Sequence, residues 1–213
     1  SSATGLLMCY NKKMKRFAFI DVQNTASTAQ NLLGFSVDWH RLHAYLKDKW
    51  HCEKVYFFSG IDEGDSEMAH EFELLAKSGC DVKTKTVHSY KKPNRTISVR
   101  CVDCGKNNIA IVDMGYNRKS NCDVDLTVDA MEMAGQNTDF LIFSGDGDFE
   151  YLVRKAVEKG TKIYIVSSNE GVQKSGINTR RYSTKLKILV DKNRGKVHFI
   201  EINSWKKIIM KEM

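Results

Sequence analysis

Two aspartates two residues apart close the apolar run in Leu141-Ile142-Phe143-Ser144-Gly145-Asp146-Gly147-Asp148-Phe149. Crowded carboxylates repel one another and lose hydration together, and a cation placed between them relieves both costs. The chemistry this spacing offers is a divalent metal held through oxygen ligands, the kind that hard cations such as magnesium and manganese prefer. Arg16-Phe17-Ala18-Phe19-Ile20 repeats the pattern: it is apolar, ends in Asp21, and is followed by Val22-Gln23-Asn24. A third acidic group is Asp123, Asp125 and Asp129. Its neighbours at 124, 128 and 131, with 126, 130 and 133, have the period of a helix packed on a sheet. On that helix Asp125 and Asp129 share a face, and Asp123 lies at the start, where a lone aspartate serves as an N-cap. Any one of these acids is ordinary. Three groups, two of them ending apolar runs, read as a site.

The elements that must position these acids follow from the patterning. Strands are expected at 16–21, 54–59, 81–87, 139–144 and 162–166, the last of these ending the parallel set. Helices are expected near 37–50, 66–77, 123–134 and 148–159. A further helix from Ser183-Thr184 through Val190 and a short strand at 196–200 complete the pass. Strands alternating with helices through short links indicate a parallel sheet covered on both faces. Ligands of such sheets bind at the carboxyl ends of the strands.

Taken together, Phe19-Ile20-Asp21-Val22-Gln23-Asn24, the stretch from Lys119 through Asp123-Val124-Asp125-Leu126 to Asp129, and Phe143-Ser144-Gly145-Asp146-Gly147-Asp148-Phe149 resemble the NYN branch of the PIN-like nucleases. The resemblance covers roughly residues 16–202, and Ser-Gly-Asp-x-Asp-Phe is its most specific element. It implies an α/β fold, a three-layer α/β/α sandwich around a parallel PIN-like (Rossmannoid) sheet. The implied activity is a magnesium- or manganese-dependent ribonuclease, endonucleolytic rather than exonucleolytic. Residue by residue, Asp21, Asp123, Asp146 and Asp148 match the metal-binding acids, and Asn24 matches the polar residue after the first strand. Lys119 departs from the pattern, standing four residues before Asp123 where the family's lysine stands three before its aspartate.

Bulk composition agrees with a cored protein that meets a polyanion. In 213 residues, 42% hydrophobic and 28% charged content is ordinary for a globular domain, and 33 Lys and Arg against 26 Asp and Glu leave a net charge of +7. No apolar run approaches the ~20 residues that span a bilayer, so no membrane partner is expected. Residues 1–15 read as a frayed or tag-derived tail without the basic n-region of a signal peptide, and the expected location is cytoplasmic. Residues 203–213 read as a helical tail. RNA contacts are expected from Tyr90, Lys91, Lys92, Arg95, Lys119, Arg180 and Arg181, with Tyr90 and His88 able to stack on bases.

An excursion at about 90–118 breaks the alternation. Residues 96–100 and 108–112 read as an inserted hairpin carrying Cys101-Val102-Asp103-Cys104-Gly105 at its tip. Cys-x-x-Cys-Gly on a turn lets two thiolates converge on one structural zinc, which needs four ligands. Cys80 and His88 are candidates for the other two; so is the cysteine pair of a second subunit, which would make a homodimer. A surface turn with reduced thiols is the plain alternative.

Three other functions stand beside the nuclease. One is a catalytically silent PIN-like module that binds RNA or protein. A phosphatase of the haloacid-dehalogenase type would want a second aspartate where Gln23 stands. A Walker nucleotide site would want a glycine-rich loop ending in Lys-Ser or Lys-Thr, and none follows the first strand.

Overall fold

Consecutive large apolar residues leave no side for water, and such runs form strands covered on both faces. Phe17 to Ile20, Val55 to Phe58 and Phe140 to Phe143 are all buried. A computed structural model describes residues 13–120, 122–174 and 177–212. The chain begins β1 (Lys15–Asp21), α1 (Val22–Leu33), α2 (Trp39–Asp48), β2 (Lys54–Ile61), α3 (Ser66–Lys77) and β3 (Asp81–Thr86). Four short strands follow: β4 (His88–Lys91), β5 (Arg95–Arg100), β6 (Asn107–Val112) and β7 (Tyr116–Lys119). The second half is α4 (Asp123–Met133), β8 (Thr138–Phe143), α5 (Glu150–Glu158), β9 (Lys162–Ser167), β10 (Gly171–Lys174), β11 (Ile177–Arg180), α6 (Thr184–Lys192), β12 (Val197–Glu201) and α7 (Lys206–Ile209).

Six strands form one sheet in the order β12-β9-β8-β1-β2-β3, every neighbouring pair parallel. The chain therefore builds outward from β1 in one direction and from β8 in the other. The switch point lies between those two strands, where Phe19 pairs with Ile142 and Ile20 with Phe143. Alternation along β1 divides the core: Ala18 and Ile20 face α1, α2 and α3, whereas Phe17 and Phe19 face α4, α5 and α6. Phe19 stacks on Tyr56 at 5.1 Å and meets the Phe140 ring edge-on at 4.9 Å. Each fully buried aromatic or aliphatic side chain of this kind contributes about 1.5–3 kcal/mol. The result is the three-layer α/β/α sandwich that the sequence implies.

Several boundaries differ from the sequence reading. α1 is absent from it because Val22-Gln23-Asn24-Thr25-Ala26-Ser27-Thr28 carries small polar residues where a helix usually shows an apolar stripe. Thr25 and Thr28 are buried all the same, and Thr25 Oγ1 donates to the Phe143 carbonyl at 3.0 Å. β12 is a sixth parallel strand, so β9 is not the last of the set. Residues 203–212 are no tail: Trp205 and Ile209 are buried with Phe143 and α2, and Lys211 N–H donates to the Ser36 carbonyl. Residues 1–12, the body of the expected amino-terminal tail, lie outside the described residues. No helix among the described residues is long and apolar enough to cross a membrane.

Candidate metal-dependent active site

Acids from each of the three groups meet at the switch point: Asp21, Asp146 with Asp148, and Asp123. β1 and β8 are parallel neighbours, so their carboxyl ends lie side by side, and Asp21 emerges beside the Ser144-Gly145-Asp146 turn. Asp21 also caps α1, its Oδ1 accepting from the Asn24 N–H at 3.1 Å, while its Oδ2 accepts from the Ser144 hydroxyl at 3.1 Å. Asn24 Oδ1 accepts the Gly145 N–H at 3.0 Å, and Ser144 Oγ accepts the Asp146 N–H at 3.2 Å. Asp146 in turn accepts the Asp148 N–H at 3.0 Å and starts the short 3-10 turn at Gly147–Phe149. This chain of bonds fixes the β1 and β8 turns to each other side chain by side chain.

Asp123 arrives from the other side. Cys122 occupies the cap position of α4 and makes no side-chain capping bond, so Asp123 is the first helical residue and its carboxylate is not the cap. Asp21, Asp123, Asp146 and Asp148 line one cleft of about 1020 Å³ together with Asn24, Arg181, Gln23, Ser27, Phe58, Ser120 and Cys122. Gln23, Ser27, Phe58, Ser120 and Cys122 are the members that the sequence did not point to. Gln23 and Ser27 lie one helical turn apart on the overlooked α1, and that i, i+4 spacing beside Asp21 is the signal that could have found them. Gln23 donates to the Gly60 carbonyl at 2.7 Å, and a side chain on Gly60 would collide with Ser120.

Electrostatics mark the same place. Burial pushes the Asp21 carboxyl up to about 6; the nearby charges of Asp123 and Asp146 push the same way, against the bonds from Asn24 and Ser144. Asp123 is solvent-exposed as a residue, yet its carboxyl is also raised, first by lost hydration and then by Asp146 and Asp148. A cation would relieve this repulsion, and a carboxylate-only donor set suits magnesium or manganese. Among the described residues, no three His, Cys, Asp or Glu side chains already stand together as an ion's ligands do. The fit is one of donor chemistry around a cleft.

Arg181 brings positive charge to this acidic wall. The residue lines the cleft, and its Nε is buried without a hydrogen-bond partner among the described residues. Gly145 is what lets it approach: a side chain there would collide with the Arg181 carbonyl, and Ser183 N–H donates to the Gly145 carbonyl at 2.9 Å. Arg180 is exposed at the end of β11 and lines a neighbouring depression with Ser183, Thr184 and Lys187.

The other expected residues are more scattered. Asp125 and Asp129 do not join the site; they pair with Lys85 at 2.9 Å and Lys83 at 2.6 Å on β3. Those two lysines are correspondingly engaged. Tyr90, Lys91, Lys92 and Arg95 lie on the arm formed by β4 to β7, which leaves the sheet after β3 on the cleft side and returns at Ser120. Tyr90 and Arg95 are exposed, and Lys91 is 3.9 Å from Asp113. Lys119 pairs with His88 along the backbone of the arm, and its side chain lies outside the described residues. Cys80 and His88 cannot share a zinc. Cys80 is buried before β3 and His88 is exposed after it, and eight extended residues span about 25 Å. Cys101 and Cys104 stand farther out at the arm's tip, so the expectation that Cys80 and His88 complete their site is corrected.

The family model of the NYN domain matches residues 17–187. The Low amplitude and bright protein LabA of Synechococcus elongatus is 26% identical over 156 residues, covering 71% of this chain and 72% of LabA. A crystal structure of a protein of unknown function from Vibrio parahaemolyticus superposes with a TM-score of 0.59 at 20% identity, covering 92% of this chain and 96% of the other. At that identity the likeness speaks for the fold alone, and the fold is the sandwich described above. With the family match running from the first strand into α6, across all four aspartates of the cleft, the chain belongs to the NYN domain family.

Proposed function

We propose that this chain hydrolyses RNA phosphodiester bonds with a magnesium or manganese ion held by Asp21, Asp123, Asp146 and Asp148. The observation that carries the reading is the meeting of these four carboxylates at the switch point of a parallel sheet, where one of them is crowded and buried enough to titrate at about 6. Membership of the NYN family supports a nuclease-type fold. Bound there, a divalent ion supplies Lewis-acid chemistry, lowering the pKa of a water and offsetting charge on the phosphoryl oxygens. The chain's own residues do the rest. Ser144 and the Asn24 N–H hold the Asp21 carboxylate in one orientation, so little reorganisation is left for the reaction. Asn24 ties the β8 turn, and with it Asp146 and Asp148, to the end of β1. Arg181 offers its guanidinium to a phosphate, and the net charge of +7 draws the polyanion toward a cleft whose own wall is negative. RNA rather than DNA rests on family resemblance.

The test is cleavage of labelled single-stranded and structured RNAs by the native protein and by Asp146→Asn, with and without manganese. The reading expects metal-dependent cutting that falls by a factor of a hundred or more in the variant (~10²–10³ for loss of an electrostatic contact to the transition state). Tight RNA binding with no cutting by either protein would instead support a silent binding module. Equal cutting by both would remove Asp146 from the site.

A further inference from the structure

The cleft leaves the arm unexplained. β4 pairs with β7 and β5 with β6, all antiparallel, and neither pair joins the central sheet. From His88 to Arg100 the chain can run out about 40 Å at 3.4 Å per residue. A lone two-stranded ribbon is marginal in water, yet this one displays apolar side chains. Thr96 faces Ile111 and Ser98 faces Ile109, which puts four uncharged side chains on one face of the ribbon. Ile109 is 78% exposed and Ile111 70%, and Val102 at the tip is 99% exposed.

The tip itself is built. Cys101 N–H donates to the Lys106 carbonyl at 2.8 Å, Gly105 N–H donates to the Cys101 carbonyl at 3.0 Å, and Gly105 takes the left-handed backbone (φ 68°) that closes the turn. The backbone N–H groups of Asp103 and Cys104 point at the Cys101 sulfur, and Cys104 lies against it as well. Arg100 Nε reaches the Gly105 carbonyl at 3.2 Å, and Lys106 follows directly.

We propose that Cys101 and Cys104 form half of a structural zinc site that the same two cysteines of a second copy complete, joining two chains tip to tip. Two thiolates are half of a tetrahedral set, and a two-fold axis through the metal supplies the other half without any new residue type. The step balances as four thiols giving four protons to solvent while the four thiolates bind one Zn²⁺, which leaves a cluster of charge −2. Arg100 and Lys106 of both copies outnumber the two Asp103 carboxylates of the tips and offset that charge; without the cluster, the net positive charge of each tip would repel its copy across the contact. Thr96, Ser98, Ile109 and Ile111 continue away from the tip on the face that begins with Arg100 and Asn107, an uncharged patch suited to burial against its own copy. The proposal does not depend on the nuclease reading.

The test uses the full chain, reduced and stripped with a chelator, then titrated with Zn²⁺ while its mass is followed by light scattering. The expected result is a shift from 24.3 kDa to about twice that, with about 0.5 zinc per chain, as one four-coordinate ion shared by two chains requires. Cobalt in place of zinc should give the intense visible bands of tetrahedral thiolate coordination. Cys101→Ser and Cys104→Ser should each abolish both the bands and the dimer while leaving the far-ultraviolet circular dichroism and melting midpoint in place, because the tip is remote from the core. One zinc per monomeric chain would overturn the proposal, as would absence of binding. A dimer that survives either serine variant would overturn it too.

Discussion

Asp21 is held at the site at a cost, and removing its charge should expose that cost as stability. Its carboxyl titrates at about 6 in the folded chain against an ordinary 3.8, burial being the chief cause. At 1.36 kcal/mol per pKa unit, that rise corresponds to about 3 kcal/mol. The sign follows from proton counts. Between 3.8 and about 6 the unfolded chain has released the proton that the folded chain still binds, so stability falls as pH rises through this window. Above about 6 the folded protein carries the full penalty; below 3.8 it carries none. Asp21→Asn cannot ionise. It keeps a carbonyl oxygen for the Asn24 N–H and offers an amide to Ser144, the two partners of the native carboxylate. With metal chelated, the variant should be about 2–3 kcal/mol more stable than the native chain at pH 8 by urea unfolding, a rise in Tm of roughly 4–12 °C for a chain of this size. The difference should close as pH falls from 6 to 4. Added manganese should reverse the order, raising the Tm of the native chain and not that of the variant. A variant less stable than native at pH 8, or a difference that ignores pH, would show that the Asp21 charge costs the fold nothing.

Three further outcomes follow from the same geometry. Ser144→Ala removes a donor that lowers the Asp21 pKa, so the acidic limb of the pH–rate profile should move up by about a unit or less, with a stability loss of about 1–2 kcal/mol from the orphaned Asp146 N–H; an unmoved limb would separate Ser144 from Asp21. Gly145→Ala drives a methyl into the Arg181 carbonyl and should cost about 1–3 kcal/mol in calorimetry while weakening RNA binding, because the bend that carries Arg181 must shift. Arg181→Gln should weaken binding of single-stranded RNA almost uniformly across sequences and reduce the slope of log K against log salt by about 0.7, the share of one phosphate contact; an unchanged slope would place Arg181 away from the backbone.

Much of this was legible in the chain because the same residues encode fold and site. Apolar runs long enough to be buried on both faces end in Asp21 and in Ser144-Gly145-Asp146, and a parallel sheet has to put those ends together. The arm was legible through the alternation in Ile109-Ala110-Ile111 and the spacing of Cys101 and Cys104. α1 was not, because Thr25 and Thr28 hide among polar neighbours and their burial is set by contacts such as Thr25 with the Phe143 carbonyl. Trp205 and Ile209 looked like a tail because only the closed fold shows that β12 leads back to α2. The pairing of Asp125 and Asp129 with Lys85 and Lys83 joins residues about forty or more positions apart, a distance across which one sequence carries no pairing signal. Grouping Cys80 with His88 failed for the reverse reason: they are close in sequence, but the extended strand between them holds them at opposite ends of the sheet.

The account turns on a metal touching the phosphate that is cut, and sulfur substitution reads that contact directly. An RNA carrying a phosphorothioate at the scissile position would be incubated with the native protein in magnesium, and then with manganese or cadmium added. Cleavage should be slowed about tenfold or more in magnesium and restored by the thiophilic ions, because sulfur binds magnesium poorly and the softer ions well. Cleavage indifferent to the sulfur, or slowed by it and not restored, would contradict a metal held by Asp21, Asp123, Asp146 and Asp148 at the scissile phosphate.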